Sequence, residues 1–248
     1  MLTKPSPGYT QSGPLFHAKT RALEKLLQKS LAPFSFAVSL IYPTAPIRLS
    51  AKDVPGWTAA ESSDAGTDAT AAAEEEELDS WSWFRRSEAL QRYTDFDKGM
   101  QTIATAVREA GGVDGVIGFS QGGAVAALLA SALEHHDPDR KVPPGDESWV
   151  TALRDANGGR SLKFAAIYSG FYSWDKALAS WLYEPKIATP TLHYLGSLDT
   201  VVDEDRSRRL VDRCEEPVVI VHPGGHFVPV AKEWAMPLVG FVKKHAEE

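Results

Sequence analysis

The pentapeptide Gly118–Gly122 places a serine between two glycines in the pattern Gly-x-Ser-x-Gly. It overlaps the apolar run Val116–Phe119 and leads into a segment of small residues, which predicts a sharp turn from a strand into a helix. Such a turn leaves the Ser120 hydroxyl projecting above the sheet, with the positive end of the helix and its free N–H groups beside it. The pattern also occurs by chance where a serine only caps a helix. The flanking strand and helix favour a nucleophile.

An acid and a histidine follow Ser120 in the chain, in the order that a serine nucleophile of this kind requires. Asp199 comes just after an apolar run and a glycine, and His226 lies on a loop that follows the next apolar run. The carboxyl ends of parallel strands meet at one edge of a sheet, so these side chains are expected to converge there. The sequence therefore predicts that Asp199 orients His226, and that His226 accepts the proton of Ser120.

Alternatives exist for both partners of the serine. Asp203 and Asp205 also follow the strand, although their position favours capping the next helix. His222 lies nearer the end of its strand than His226, and a structural or supporting role is favoured for it. No catalytic role is predicted for the remaining histidines, which are His17, His135, His136, His193 and His245.

Short apolar runs alternate with segments of helical periodicity along the chain, which predicts an α/β fold with a mainly parallel sheet and helices on both faces. The predicted strands are 36–42, 116–119, 164–168, 191–195 and 218–221. The predicted helices are 15–31, 95–110, 124–133, 205–214 and 230–245, the last interrupted at Pro237.

Two segments depart from this alternation. Residues 59–80 include the run Glu74–Glu77 and too few apolar residues to form a core, which predicts a flexible acidic insertion within one domain spanning 1–248. Residues 135–159 are rich in Pro, Asp and Gly, which predicts a long loop.

Composition narrows the function classes. The formal net charge of −7 argues against a nucleic-acid partner, and Cys214 is the single cysteine, so no internal disulfide can form. No apolar run approaches the roughly 18 residues that a membrane span needs. The sequence predicts a cytoplasmic protein without a membrane span.

Several motifs together carry a resemblance to a known family. They are Gly8–Gly13, Tyr42–Pro46, Trp81–Phe84, Gly118–Gly122, Gly196–Val202 and His222–Phe227. From about residue 8 to residue 242 the chain resembles the fungal family of serine hydrolases, a compact branch of the α/β-hydrolases.

The resemblance implies an α/β-hydrolase fold and a catalytic triad of Ser120, Asp199 and His226. It also implies cleavage of esters or thioesters with neither a cofactor nor a metal. Some similar family members release polyketide chains from a synthase in secondary metabolism, so an acyl chain bound to a carrier protein is one implied substrate.

The start of the chain departs from the family pattern. Family members begin with an apolar strand that runs into His-Gly, whereas this chain has Lys4–Gly8, with Pro7 at the histidine position. Prolines cannot donate hydrogen bonds to a sheet, so the first core strand is predicted to be missing or degraded.

The sequence also suggests which residues form the oxyanion hole and which line the substrate pocket. The backbone N–H groups of Gln121 and Tyr9 are predicted to form the oxyanion hole. A substrate pocket is predicted from Gln11, Trp81, Trp83 and Phe171, although the tryptophans could equally pack in the core.

The predicted function is hydrolysis of small or medium acyl esters or thioesters through an acyl-enzyme. A catalytically impaired family member that acts as a binding protein is the alternative, because the start of the chain is atypical. A dienelactone-hydrolase-like activity is less favoured, because those enzymes commonly use a cysteine where this chain has Ser120.

Overall fold

The computed structural model describes residues 2–6, 8–50, 53, 79–134 and 141–246, with the backbone alone for residues 2–6. Most of the predicted acidic insertion, residues 59–78, lies outside the described residues, as do His135 and His136. The prediction of one domain over residues 1–248 stays a prediction.

Within the described residues, six parallel strands form the main sheet in the order β10-β9-β8-β7-β1-β2. Two short antiparallel ladders, β3–β4 and β5–β6, lie outside it. The strands are β1 (Leu2–Ser6), β2 (Ser39–Leu40), β3 (Ile47–Arg48), β4 (Trp81–Ser82), β5 (Arg85–Ser87), β6 (Arg92–Thr94), β7 (Gly115–Phe119), β8 (Phe164–Tyr168), β9 (Thr191–Gly196) and β10 (Val218–His222).

Helices cover both faces of the sheet. They are α1 (Gly13–Leu31), α2 (Phe96–Glu109), α3 (Gln121–Leu133), α4 (Glu147–Ala156), α5 (Lys176–Leu182), α6 (Glu204–Val211) and α7 (Lys232–Ala246). Val116, Ala165 and Ile167 point into one core with α2 to α6, whereas Ile117 and Ala166 point into a second core with α1 and α7. This alternation is what a sheet buried on both faces requires. The predicted α/β architecture is confirmed.

The centre of the molecule is buried throughout and mainly apolar. Every residue of β7, β8 and β9 is buried, and so is every residue of α3, which packs directly on β7 and β8. Parallel strands enclosed by helices read as continuous apolar runs, which is why these strands could be found from sequence. The residues that end β7 and β9 are therefore held on the most rigidly packed part of the fold.

The predicted loss of the first strand is wrong. β1 forms between β2 and β7 and pairs with β7 at four positions, from Thr3 with Gly115 to Ser6 with Gly118. β2 pairs only with Leu2 and Thr3, so at Pro5 the strand has a neighbour on one side alone. A proline is tolerated at such an edge because one side of the strand makes no ladder there.

Two further predictions are corrected. The predicted loop over residues 135–159 contains α4, whose buried side chains Trp149, Val150 and Leu153 follow helical spacing. The last helix is not interrupted at Pro237, because α7 runs through it. Pro237 lies near the start of α7, so its missing N–H removes one hydrogen bond, while Ala235 and Leu238 around it are fully buried.

Candidate active site

Ser120 lies at the turn between β7 and α3 in a strained backbone conformation, with φ of 53° and ψ of −118°. Such a conformation costs a non-glycine residue about 1–3 kcal/mol and is held by its surroundings. The Ser120 N–H donates to the carbonyl of Tyr168 at 2.8 Å, which ties the turn to β8. Gly118 is required because a Cβ there would collide with the backbone of Gly122. The turn thus presents the Ser120 hydroxyl above the sheet.

The loops after β9 and β10 are joined backbone to backbone. The Ser197 N–H donates to the His222 carbonyl at 2.9 Å, and the Leu198 N–H donates to the Gly224 carbonyl at 3.0 Å. The close approach requires Gly196, where a Cβ would lie 2.6 Å from the Gly224 oxygen. These contacts bring the loop that carries His226 against the loop that carries Asp199.

Ser120, His226 and Asp199 form one continuous hydrogen-bonded line. The Ser120 Oγ lies 2.9 Å from His226 Nε2, and His226 Nδ1 lies 2.8 Å from Asp199 Oδ2. An ionised carboxylate only accepts hydrogen bonds, so Nδ1 carries the proton and donates a hydrogen bond to Asp199. In the neutral ring, Nε2 is then left to accept the hydrogen bond of the Ser120 hydroxyl. This tautomer is the one a general base beside a serine needs.

Asp199 is held as a carboxylate by its hydrogen bonds. Burial acts to raise the pKa of its carboxyl, but hydrogen bonds from His226 and from the N–H groups of Val202 and Val201 outweigh burial and lower the pKa. Those two N–H groups donate to Oδ1 at 2.9 Å and 3.0 Å, while Oδ2 faces the imidazole. The carboxylate is therefore fixed in orientation and negative at neutral pH.

The hydrogen-bonded residues Ser120, His226 and Asp199 are largely buried but not completely closed off from solvent. Ser120 is 8% exposed, and the side chains of Asp199 and His226 are 4% and 17% exposed. Charge interactions are stronger in such a place than in bulk water. The opening that remains at Ser120 and His226 leaves a path for a small molecule.

The alternative acid and base have other partners. Asp203 caps α6 by accepting the N–H of Arg206 at 2.9 Å. His222 is buried, and its Nδ1 accepts the Gly224 N–H at 3.2 Å. Burial lowers the pKa of His222, although Asp199 acts to raise it. His222 therefore supports the loop that carries His226, as a neutral side chain.

Gln121 and Tyr9 border the same cavity beside Ser120. The Gln121 amide is locked, because its Oε1 accepts the Trp83 N–H at 2.7 Å and its Nε2 donates to the Phe84 carbonyl at 3.0 Å. Tyr9 is fixed by a hydrogen bond from its hydroxyl to the Asp53 carbonyl at 2.7 Å. The predicted role of their backbone N–H groups as oxyanion donors stays a prediction.

Two cavities are lined by residues of the triad or next to it in the chain: Gln121, which follows Ser120, borders one of them, and His226 borders the other. The arginine cavity has a volume of about 420 Å³, and its lining includes Tyr9, Gln121, Phe171, Arg85, Arg86 and Arg206. The phenylalanine cavity has a volume of about 240 Å³, and its lining includes Gln11, Phe16, Phe119, His226 and Phe227. The site therefore offers one polar, cationic space and one mainly apolar space.

The predicted pocket residues are divided between these spaces and the core. Phe171 lines the arginine cavity and Gln11 lines the phenylalanine cavity. The prediction that Trp83 lines the substrate pocket is wrong, because its side chain is fully buried in the core and presents no surface to a substrate. Trp81 is half-buried, donates to Asp79 at 2.8 Å and lies under the Arg48 guanidinium.

Sequence reasoning missed the cationic lining. Arg85 and Arg86 lie on β5 and Arg206 lies on α6, about a hundred residues apart in the chain. No local pattern brings them together. The adjacency of Arg85 and Arg86 to the aromatic motif Trp81–Phe84 was the one available signal.

Two classes of feature are not found in the described part of the chain. No group of three or more His, Cys, Asp or Glu side chains is placed to hold a metal ion there. In the same residues, no helix combines the length and the apolar character that crossing a bilayer requires.

Comparison with known proteins places this geometry in a family. Residues 6–238 match the family model described as "Serine hydrolase (FSH1)". The "Esterase OVCA2" of Danio rerio is 29% identical over 248 residues, covering 96% of this chain and 94% of that protein. The "Dihydrofolate reductase" of Schizosaccharomyces pombe is 31% identical over 225 residues, covering 90% of this chain, which spans only 42% of that longer protein.

A solved structure supports the fold independently. The crystal structure of Zea mays acyl-protein thioesterase 2 superposes with a TM-score of 0.56 at 16% identity, covering 98% of this chain and 93% of that one. At this identity the likeness concerns the fold alone. The family assignment rests on the match over residues 6–238, which takes in the turn at Ser120 and the loops of Asp199 and His226. The chain belongs to the FSH1 family of serine hydrolases.

Proposed function

We propose that this chain hydrolyses carboxylic esters and thioesters of small to medium acyl groups, with Ser120 as nucleophile, His226 as general base and acid, and Asp199 as the group that orients His226. The observation that carries the proposal is the continuous line from Ser120 Oγ through His226 to Asp199, with distances of 2.9 Å and 2.8 Å. A binding protein that had lost catalysis would have no need for a strained, correctly hydrogen-bonded serine.

In the first half of the proposed reaction, Ser120 Oγ attacks the carbonyl carbon while its proton passes to His226 Nε2. The oxygen of the tetrahedral intermediate accepts hydrogen bonds from the N–H groups of Gln121 and Tyr9. When the intermediate collapses, the bond to the leaving group breaks and His226 gives its proton to the departing oxygen or sulfur. Asp199 stabilises the imidazolium between these two transfers.

In the second half, water takes the place of the leaving group beside His226. His226 Nε2 accepts a proton from the water, whose oxygen attacks the acyl carbon of the Ser120 ester. Collapse of the second intermediate releases the carboxylic acid and returns the proton to Ser120 Oγ. No redox step or group transfer other than to water is involved.

The linings of the two cavities support a proposed placement of the two parts of the substrate. The leaving group must stand beside His226 to receive its proton, and His226 lines the phenylalanine cavity. The arginine cavity is bordered by Gln121 and Tyr9, on the side of the proposed oxyanion donors. We therefore place the leaving group in the phenylalanine cavity and the acyl group in the arginine cavity.

The experiment is a comparison of wild type with Ser120→Ala, using 4-nitrophenyl acyl esters and a fluorophosphonate probe. We expect the wild type to show a burst of nitrophenol followed by steady turnover, and the variant to lose both hydrolysis and labelling. Thermal unfolding of both proteins shows whether the variant is folded. Labelling of folded Ser120→Ala at the level of the wild type would eliminate Ser120 as the nucleophile.

Release of a polyketide chain from a carrier protein is the finer form of the proposal, and it rests on the family resemblance. The triad chemistry is the same for a thioester, because His226 can protonate a departing sulfur as it does an oxygen. Incubation with an acyl chain loaded on a carrier protein tests it. We expect release of the free acid from the carrier protein, and we expect that release to depend on Ser120. If the enzyme cleaves aryl esters but does not release the acyl chain from the carrier protein, its function is limited to small-molecule esters.

A further inference from the structure

We propose that the arginine cavity binds a carboxylate at the far end of the acyl group, so that the preferred substrates are half-esters or half-thioesters of dicarboxylic acids. This inference rests on the proposed function, because it names the class of acyl group that the site takes. The products would be a free dicarboxylic acid and the alcohol or thiol of the leaving group, with water as the co-substrate.

The charge around the cavity is opposite in sign to that of the chain. A third space, the outer cavity, has a volume of about 620 Å³ and shares Arg86, Trp174 and Arg206 with the arginine cavity. Among the described residues, the two linings together hold five cationic side chains and one carboxylate, namely Arg85, Arg86, Lys176, Arg206 and Arg209 against Asp53. The chain as a whole carries −7. A cationic, low-dielectric wall of this kind concentrates anions.

Aromatic rings hold these guanidinium groups without neutralising them. Arg86 lies 3.9 Å from the ring centre of Trp174, and Arg206 lies 4.7 Å from that of Phe171. Arg209 lies 4.7 Å from the ring centre of Tyr172. Stacking fixes the plane of a guanidinium and leaves its N–H edge open, and that edge matches the two oxygens of a carboxylate.

The arginines differ in how far their charge is already compensated. Arg85 lies 3.8 Å from the Asp53 carboxylate, and Arg86 pairs with Glu88 at 2.9 Å on the surface. Within the described residues, Arg206 has no carboxylate within ion-pair distance, although it faces both the arginine cavity and the outer cavity. Arg206 is therefore the principal anion-binding group.

The position of the cavity indicates that the anion belongs to the acyl group. A phosphate on the leaving group, as in a coenzyme A thioester, would approach from the side of His226. The cavity there is mainly apolar, and among the described residues Lys19 is the one lysine or arginine in its lining. The cationic lining is instead on the side of Gln121 and Tyr9, where the acyl group is placed.

The test compares two esters that differ only in the far end of the acyl chain. The mono-4-nitrophenyl ester of suberic acid carries a terminal carboxylate, and 4-nitrophenyl octanoate has the same chain length without it. For wild type we expect a kcat/KM ratio of suberate to octanoate above one, falling as ionic strength rises because the attraction is screened. In Arg206→Gln we expect this ratio to fall on the order of 10-fold, since a charge-assisted hydrogen bond is lost.

Arg208→Gln is the matched control. Arg208 lies on the same helix, pairs with Glu204 on the surface and lines neither cavity, so the change in net charge is identical. We expect it to keep the wild-type ratio. A ratio that is unchanged in Arg206→Gln, or that falls equally in Arg208→Gln, would overturn the inference while leaving Ser120-dependent hydrolysis of octanoate, and so the proposed function, intact.

Two further measurements separate the remaining outcomes. If Arg206→Gln loses preference for octanoyl-coenzyme A over octanoyl-pantetheine but not for suberate over octanoate, the anion belongs to the leaving group and the inference is wrong. If neither ester is hydrolysed by wild type, the proposed function fails. Calorimetric binding of suberate to Ser120→Ala then decides the inference: we expect binding that Arg206→Gln removes, and the absence of binding refutes it.

Discussion

The two sides of the main sheet are built differently. From β7 to β10, adjacent strands pair over four to five positions, and the strands end at Ser120, at the loop of Asp199 and at the loop of His226. On the other side, β1 and β2 pair over two positions, and the segment after β1 leads to Tyr9. Ser120, Asp199 and His226 therefore follow strands that pair with every neighbour over four to five positions, whereas Tyr9 follows β1, which pairs over four positions with β7 but over only two with β2.

The segment that carries Tyr9 is held mainly by contacts outside the sheet. The Thr10 N–H donates to the Trp81 carbonyl at 2.9 Å, and the Gly13 N–H donates to the Thr44 hydroxyl at 3.0 Å. With the Tyr9 hydroxyl on the Asp53 carbonyl, these bonds replace what a longer ladder would supply. Sheet pairing therefore stabilises the side with Ser120, Asp199 and His226, whereas hydrogen bonds outside the sheet stabilise the segment of Tyr9. Substitutions can therefore perturb one side without the other.

The largest expected effect is on the well-paired side. Asp199→Asn should lower kcat/KM for aryl esters on the order of 10⁴-fold, because an amide facing His226 Nδ1 favours the wrong imidazole tautomer. Steady-state kinetics with 4-nitrophenyl butyrate measures this. Asp203→Asn is the control, since asparagine also caps a helix, and it should leave kcat/KM unchanged. Near-normal activity in Asp199→Asn would mean that another group orients His226.

The next largest effect on activity is expected at Tyr9, which follows β1. Tyr9→Pro removes the backbone N–H and should lower kcat on the order of 100-fold, as loss of one oxyanion donor does. Tyr9→Phe keeps that N–H and removes only the hydroxyl bond to Asp53, so it should keep kcat at a small cost in stability. Fluorophosphonate labelling and thermal unfolding show whether Ser120 is still presented. Equal losses in both variants would assign the effect to the side chain.

A third prediction concerns His193, which lies buried on β9. Burial lowers the pKa of His193 to about 3 from 6.5, so the folded state keeps it neutral while the unfolded chain takes up a proton below pH 6.5. The contribution of neutral His193 to the free energy of unfolding is therefore fully present above pH 6.5 and is lost as the pH falls toward 3. In urea unfolding, His193→Gln should reduce the slope of stability between about pH 6 and 4 by about 1.4 kcal/mol per pH unit.

The buried His222, whose pKa is also lowered by burial, should keep part of the slope in His193→Gln. A slope identical in wild type and His193→Gln would show that His193 does not resist protonation in the folded protein.

The smallest effect is expected at Pro5. Pro5→Val restores a backbone N–H where β1 has a neighbour on one side only, and should change the free energy of unfolding by less than about 1 kcal/mol. Val116→Pro is the contrasting change, since β7 pairs on both sides at this position, and it should cost about 3 kcal/mol or more. Similar values for the two variants in urea unfolding would remove the distinction between the sides of the sheet.

The sequence is a good guide to the side that forms complete ladders. Ser120, Asp199 and His226 could be found because each follows a buried strand, and because the glycines that permit the sharp turns stand beside them. β7 is apolar over its whole length and α3 is apolar apart from Gln121 and Ser131, so no tertiary contact was needed to recognise them. Local sequence decides local structure in these elements.

Elsewhere the deciding contacts are distant in the chain. β1 was predicted to be lost because Pro5 and Pro7 are visible in the sequence, while the one-sided pairing of the strand at Pro5 is not. α4 was missed because Pro and Gly around it outweighed the spacing of Trp149, Val150 and Leu153. The approach of Arg206 to Phe171 and of Arg86 to Trp174 depends on how α6 and β5 each pack against the segment between β8 and α5, which no periodicity encodes.

The backbone bonds between the loops of Asp199 and His226 have a mechanical consequence. Because Ser197 and Leu198 are tied to His222 and Gly224, the separation of Asp199 and His226 is set by contacts that do not involve Ser120. Ser120 is positioned by other contacts, namely β7, α3 and the bond from its N–H to the Tyr168 carbonyl. A change in the bonds between the two loops would therefore alter the Asp199–His226 contact first, whereas a change in the turn at Ser120 would alter the Ser120–His226 contact and leave the imidazole oriented.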